Sequence, residues 1–187
     1  MLRFAQGNLF DSKARTLVNT VNCAGAMGKG VALSFKKKYP DMYNDYRRRC
    51  ELGEIHPGVL TLYTDTEPWV LNFPTQRHWR ARSRLDDIEA GLKEFVCQYK
   101  GWGITSVAMP ALGCGHGGLD WADVRSLIEK HLGNLEIDIE VYEPGSEIRP
   151  PDGDSQAEVG MLQYQTDLFG NPLHPPEPKR KRRRRSG

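Results

Sequence analysis

The chain is 187 residues long, 39% hydrophobic and 27% charged, with a formal net charge of +2. That length suits one domain whose core buries most of its apolar surface, and the lack of an apolar run of about 18 residues excludes a membrane-spanning helix. The charge is uneven, because the basic run at 179–185 outweighs the net charge and leaves the rest of the chain acidic.

In chain order, residues 2–6 alternate and predict a first strand. Residues 16–21 are β-branched and mostly apolar, which predicts a buried strand. From 30 to about 50, Val31, Leu33, Phe35, Tyr39, Met42, Tyr43 and Tyr46 recur at helical spacing. Pro40 divides them into two helices, with Asp41 opening the second. Strands are predicted at 58–63 and 69–74. Residues 85–100 read as a helix with Ile88, Leu92, Phe95 and Val96 on one face and Ser83 as its N-cap. Another buried strand covers 106–110, a helix covers 120–132 and stops at Gly133, and 137–142 alternates like a final strand with one solvated face. The alternation predicts an α/β domain over 1–143, three layers deep, with a mixed, largely parallel sheet between helices. From 144 onward proline, glycine and charge dominate, so 144–187 reads as a disordered tail with a short apolar island at 159–170. No internal repeat is evident.

Cys23, Cys50, Cys97 and Cys114 lie far apart with no CxxC pair. Zinc and disulfide frameworks are therefore not expected, and a reducing cytoplasm fits best. The opening residues 1–9 are too short and polar for a signal peptide. No metal or cofactor is required by the residues present.

Two glycine-rich loops carry the chemistry. The first, within 19–32, contains Gly25, Gly28 and Gly30; the second, within 109–118, contains Gly113, Gly115, Gly117 and Gly118. Each follows an apolar strand and precedes a helical stretch. Glycine tolerates positive φ and lets the backbone press its N–H groups against a ligand, and a helix starting beyond the loop favours phosphate. Two such loops suggest a diphosphate held from both sides.

The ordered set of Gln6-Gly7-Asn8-Leu9, the strand into Asn19 and Asn22, Met27-Gly28-Lys29-Gly30-Val31-Ala32 and Pro110-Ala111-Leu112-Gly113-Cys114-Gly115 resembles a macrodomain. Within that family, residues 22–40 together with Asn72-Phe73-Pro74-Thr75 and His78-Trp79-Arg80 resemble the DarG-like branch, DNA ADP-ribosyl glycohydrolase antitoxins related to the human terminal ADP-ribose glycohydrolase. The resemblance implies an ADP-ribose site. Gln6 to Leu9 would border the adenine, with Asn8 where many macrodomains carry an aspartate. Gly25, Met27, Gly28, Lys29, Gly30 and Val31 would wrap the distal ribose and one phosphate. Leu112, Gly113, Cys114, Gly115, His116 and Gly117, entered from Pro110, would hold the diphosphate. Asn22 would reach the distal ribose beside the glycosidic bond, with Asn19 and Thr75 near it.

One departure bears on catalysis. The DarG-like branch carries a lysine after the Phe-Pro-Thr segment; here Phe73-Pro74-Thr75 runs into Gln76, which cannot be a nucleophile. Asn22, Gln76 and His116 are therefore the catalytic candidates, His116 because histidine is the commonest general acid or base. Three outcomes stay open: His116 catalyses, Arg77 positions substrate while water attacks, or the domain binds ADP-ribose without cleaving it. Hydrolysis of a small metabolite such as ADP-ribose 1″-phosphate is a weaker option.

Other readings compete residue by residue. Asn19 serves equally well as a brace of the first loop, Lys29 as a solvated charge, His116 as an ordinary loop histidine, and Cys23 and Cys114 as small packing residues. Trp79 among Arg77, Arg80, Arg82 and Arg84 suits stacking on a base and gripping phosphates, or simple packing. The basic run at 179–185 binds polyanions such as DNA or RNA through counterion release, or acts as a nuclear localisation signal in a eukaryotic host. The partners expected are an ADP-ribosylated substrate and a cognate ADP-ribosyltransferase, with no membrane. Direct toxin sequestration is not expected from so short a following segment, and a monomer is.

Overall fold

A computed structural model describes residues 1–146. Its elements are β1 (Leu2–Ala5), a single 3-10 turn (Leu9–Asp11), β2 (Thr16–Asn22), α1 (Gly30–Lys38), α2 (Pro40–Glu51), β3 (Thr61–Tyr63), β4 (Trp69–Gln76), α3 (Leu85–Gln98), β5 (Ser106–Pro110), α4 (Trp121–Leu132) and β6 (Asp138–Tyr142). The strands form one sheet in the order β1-β6-β5-β2-β4-β3. Every pairing is parallel except that of β3 with β4.

Period-two alternation along the buried strands sends successive side chains to opposite faces. Val18, Leu71, Phe73, Val107 and Met109 face a core completed by Ile88, Leu92 and Phe95 of α3 and Val124, Ile128 and Leu132 of α4. Leu17, Val21, Val70 and Ala108 face a second core completed by Phe35 of α1, Met42, Tyr43 and Tyr46 of α2, and Leu9 and Phe10 of the 3-10 turn. The result is the three-layer α/β arrangement with a mixed, largely parallel sheet. Gly91 lets α3 lie close on that sheet, since a Cβ there would stand 2.3 Å from the Phe73 ring.

The expectations shift at the element ends. Pro40 does divide the helical run, and it starts α2 itself, at the position where its missing N–H is harmless. The strand expected over 58–63 pairs only through Thr61–Tyr63, because Gly58 turns the chain at φ +82°. β4 continues two residues past the expected end, to Gln76. Ser83 is not the N-cap of α3; Arg84 is, without a side-chain cap bond. The readings placed on 147–187, including the apolar island and the basic run, lie outside the described residues.

Candidate functional site

Three neighbouring strands, β5, β2 and β4, run parallel, so their carboxyl ends meet one edge of the sheet, where open α/β sheets bind ligands. Loop one (23–29) leaves β2, loop three (77–84) leaves β4, and loop two (111–120) leaves β5.

Loop one is built around Asn22. Its Oδ1 accepts from the Ala24 N–H at 2.9 Å and the Ala26 N–H at 3.3 Å, while its Nδ2 donates to the Ala26 carbonyl at 2.6 Å. From below, the Tyr46 hydroxyl donates to the Asn22 carbonyl at 2.6 Å, and burial pushes that phenol's pKa upward. Gly28, Lys29 and Gly30 stand exposed at the end of the loop. No side chain caps α1 and its first turn carries no acid, so the amino end of the helix is left to attract an anion.

Loop two folds on its own backbone, with bonds from Cys114 N to Ala111 O and from Leu119 N to Gly113 O. Gly113 and Gly118 take positive φ. His116 is exposed and lies across from loop one, its Cδ2 standing 3.4 Å from where a Gly30 Cβ would be. Burial pushes the Cys23 and Cys114 thiols up to about 11, so both are protonated packing groups at neutral pH rather than nucleophiles.

Loop three locks against both. Gln76 pairs with Asn22 in register, its carbonyl accepts from Cys23 N at 3.0 Å, and its Nε2 donates to the Ala81 carbonyl at 2.6 Å. Ser83 N donates to the Gly117 carbonyl at 3.0 Å. The Ser83 side chain fills the slot beside Gly117, where a Cβ would fall 2.1 Å from its Oγ. His78 stacks on Trp79 at 5.2 Å, and the Arg80 guanidinium covers the same indole at 4.2 Å. Trp79 is 43% exposed.

Several predicted residues therefore support the site from beneath. Asn19 is fully buried and donates to Asn72 Oδ1 at 2.9 Å, so it braces β2 against β4. Leu9, Met27 and Leu112 are core side chains, and Thr75 and Pro110 are buried on their strands. Asn8 spends its side-chain oxygen on Phe10 N at 3.2 Å, capping the 3-10 turn. Arg77 does not stand ready for a phosphate: its guanidinium forks onto Asp87 at 2.9 and 3.0 Å. The exposed predicted residues are Gly28, Lys29, Gly30, Arg77, Trp79, Arg80, Gly115 and His116. Sequence reasoning missed Tyr46, Ser83 and Asp87 as parts of the site. Tyr46 carries the signal of a core aromatic and Asp87 that of an ordinary first-turn acid, so neither spacing nor residue type marked them.

Residues 18–128, more than half of the chain, match the Macro domain family, and the chain belongs to that family. It is 45% identical over 150 residues to the DNA ADP-ribosyl glycohydrolase of Thermus aquaticus, a match covering 77% of this chain and 41% of that protein. The solved macrodomain of Mycobacterium tuberculosis DarG is 41% identical with a TM-score of 0.74, over 77% of this chain and 98% of that one. In Thermosipho africanus, a DNA ADP-ribosyl transferase–DNA ADP-ribosyl glycohydrolase fusion protein is 38% identical over 81% of this chain and 44% of its own length. A DarTG structure from the same species, in complex with ADP-ribose, is 38% identical with a TM-score of 0.75, over 80% of this chain and 43% of that one. The match thus spans less than half the length of these two curated relatives.

Proposed function

We propose that this domain binds ADP-ribose between loops one and two and hydrolyses the glycosidic bond joining it to a modified macromolecule, a nucleic-acid base. The observation that carries the reading is the delivery of both glycine loops, with Asn22 at the end of β2 and Gln76 at the end of neighbouring β4, to one edge of the sheet by three adjacent parallel strands, in a chain similar to the DarG macrodomain. In the reaction, water adds across the bond: hydroxyl goes to the ribose anomeric carbon and the proton leaves with the base. His116, exposed and opposite Gly30, is placed to move that proton, and the loop N–H groups and the amino end of α1 neutralise the diphosphate. The exposed His78–Trp79–Arg80 stack supports contact with an unstacked base. By analogy with the fusion protein, the substrate is made by a cognate ADP-ribosyltransferase; the four free cysteines support a reducing cytoplasm as the compartment.

A second reading, a reader that holds ADP-ribose without cleaving it, is favoured by one observation. Gln76 stands where the DarG-like branch carries lysine, and its amide is already committed to Ala81. The test is to incubate the full chain and Gln76→Lys with ADP-ribosylated DNA, RNA and protein and to measure released ADP-ribose. Release from nucleic acid by the wild type is expected. No wild-type release from any substrate, alongside tight ADP-ribose binding and activity gained in Gln76→Lys, would establish the reader instead.

A further inference from the structure

Asp87 is the third residue of α3 and is 5% exposed. A buried carboxylate needs its charge matched and its lone pairs filled. Arg77 does both, with Nε 3.0 Å from Oδ2 and Nη2 2.9 Å from Oδ1, a planar fork that lysine cannot reproduce. Arg77 follows Gln76 directly, and it is the first residue of loop three. Burial pushes the Cys23 thiol up, with Asp87 adding to the rise and Arg77 opposing it, so the pair lies within electrostatic reach of the residue after Asn22. The same loop is tied at its far end by the Ser83 N bond to the Gly117 carbonyl and by Arg82 Nη2 at 3.4 Å from the Gly118 carbonyl.

We propose that Asp87 is a positioning residue: acting through Arg77, it anchors the near end of loop three, so that Gln76 stays beside Asn22 and the His78–Trp79–Arg80 stack keeps a fixed place relative to the two glycine loops. The inference rests on reading the site as an ADP-ribose pocket that takes a macromolecular substrate. Its physical content is local. Without the fork, the near end of loop three opens while the glycine loops keep their structure, because loop one is held by Asn22 and Tyr46, and loop two by its own backbone bonds and by the far end of loop three at Ser83 and Arg82.

The test uses the full chain with Asp87→Asn, Asp87→Glu and Arg77→Lys. Trypsin cuts after Arg77, Arg80, Arg82 and Arg84 when the loop opens, and mass spectrometry locates the cuts. Calorimetry measures free ADP-ribose, and fluorescence anisotropy measures an ADP-ribosylated oligonucleotide. Asp87→Asn is expected to raise cleavage within 77–84 by about tenfold or more, since proteolysis follows the population of the locally open state. It is also expected to weaken the oligonucleotide by about fivefold while free ADP-ribose changes by less than about twofold. Asp87→Glu should recover much of both. Unchanged cleavage, or equal weakening of both ligands together with global melting, would overturn the proposal. Should Asp87→Asn not fold, Arg77→Lys, which keeps the charge and loses the fork, decides it by the same measurements. If the wild type holds the modified oligonucleotide no better than ADP-ribose, the macromolecular reading fails, and the cleavage result still decides the role of Asp87.

Discussion

Loops one and two sit side by side and are held by opposite means. Loop one is held by atoms that are present: the Asn22 amide bonds Ala24 and Ala26, and Tyr46 supports the Asn22 carbonyl. Loop two is held by atoms that are absent. Gly113 takes φ +71°, and at Gly117 a Cβ would fall 2.1 Å from Ser83 Oγ and 2.5 Å from the Gly113 carbonyl. A loop of the first kind loosens when an atom is removed, and one of the second kind breaks when an atom is added.

The largest effect is therefore expected at Gly117. Gly117→Ala forces loop three and loop two apart and should cost about 1–3 kcal/mol of stability, as overpacking does. Calorimetric ADP-ribose affinity should fall by about a hundredfold, or about 2.7 kcal/mol. Gly115→Ala is the control two residues away. It meets nothing within 4 Å and has no positive φ, so it should stay within about 0.5 kcal/mol of the wild type. If both alanine variants behave alike, loop two is not held by the missing side chain. On loop one, Tyr46→Phe deletes the hydroxyl and leaves the buried Asn22 carbonyl without its donor. A loss of about 1–2 kcal/mol in denaturant unfolding is expected, with ADP-ribose binding weakened several-fold. Unchanged unfolding would mean the loop does not depend on α2.

The same contrast explains what could be read from the residues alone. Strand and helix order follows from apolar periodicity, and the glycine clusters announce themselves by composition, so the sheet, its helices and loop two were legible. The braces were not. Asn19 and Asn22 are the same residue type three positions apart on one strand, yet one is sealed between β2 and β4 and the other turns upward into loop one. Only the register of β2 against β4, with Asn19 opposite Asn72 and a shift after Val21, separates them. Arg77 likewise looked like a phosphate ligand because its partner lies ten residues on, in a helix whose face the sequence does not orient toward a loop. Ser83 had the residue type of an N-cap, and the close approach of Gly117 put it to another use.

The smallest effect tests whether stability and the site can be moved apart. Between α3 and α4, Glu89 Oε1 takes Lys130 Nζ at 2.8 Å and His131 Nε2 at 2.9 Å, while Oε2 faces Lys93 at 3.5 Å. The Lys130 bond first, then His131, hold the Glu89 carboxyl at about 2, down from 4.5. A carboxyl depressed in the folded state stabilises above its unfolded value, and that stabilisation is lost as the pH falls through the folded one. Glu89→Gln should accordingly lower the melting temperature slightly at pH 7, and the difference from wild type should fade between about pH 4.5 and about pH 2. Because the lysine ends of these pairs are solvent-facing, it should also shrink in high salt. None of these side chains belongs to the three loops, so ADP-ribose affinity at pH 7 should not change. A melting difference that persists at pH 2 would show that Glu89 acts by packing and not by charge, and a change in ADP-ribose affinity would show that the α3–α4 layer reaches the glycine loops.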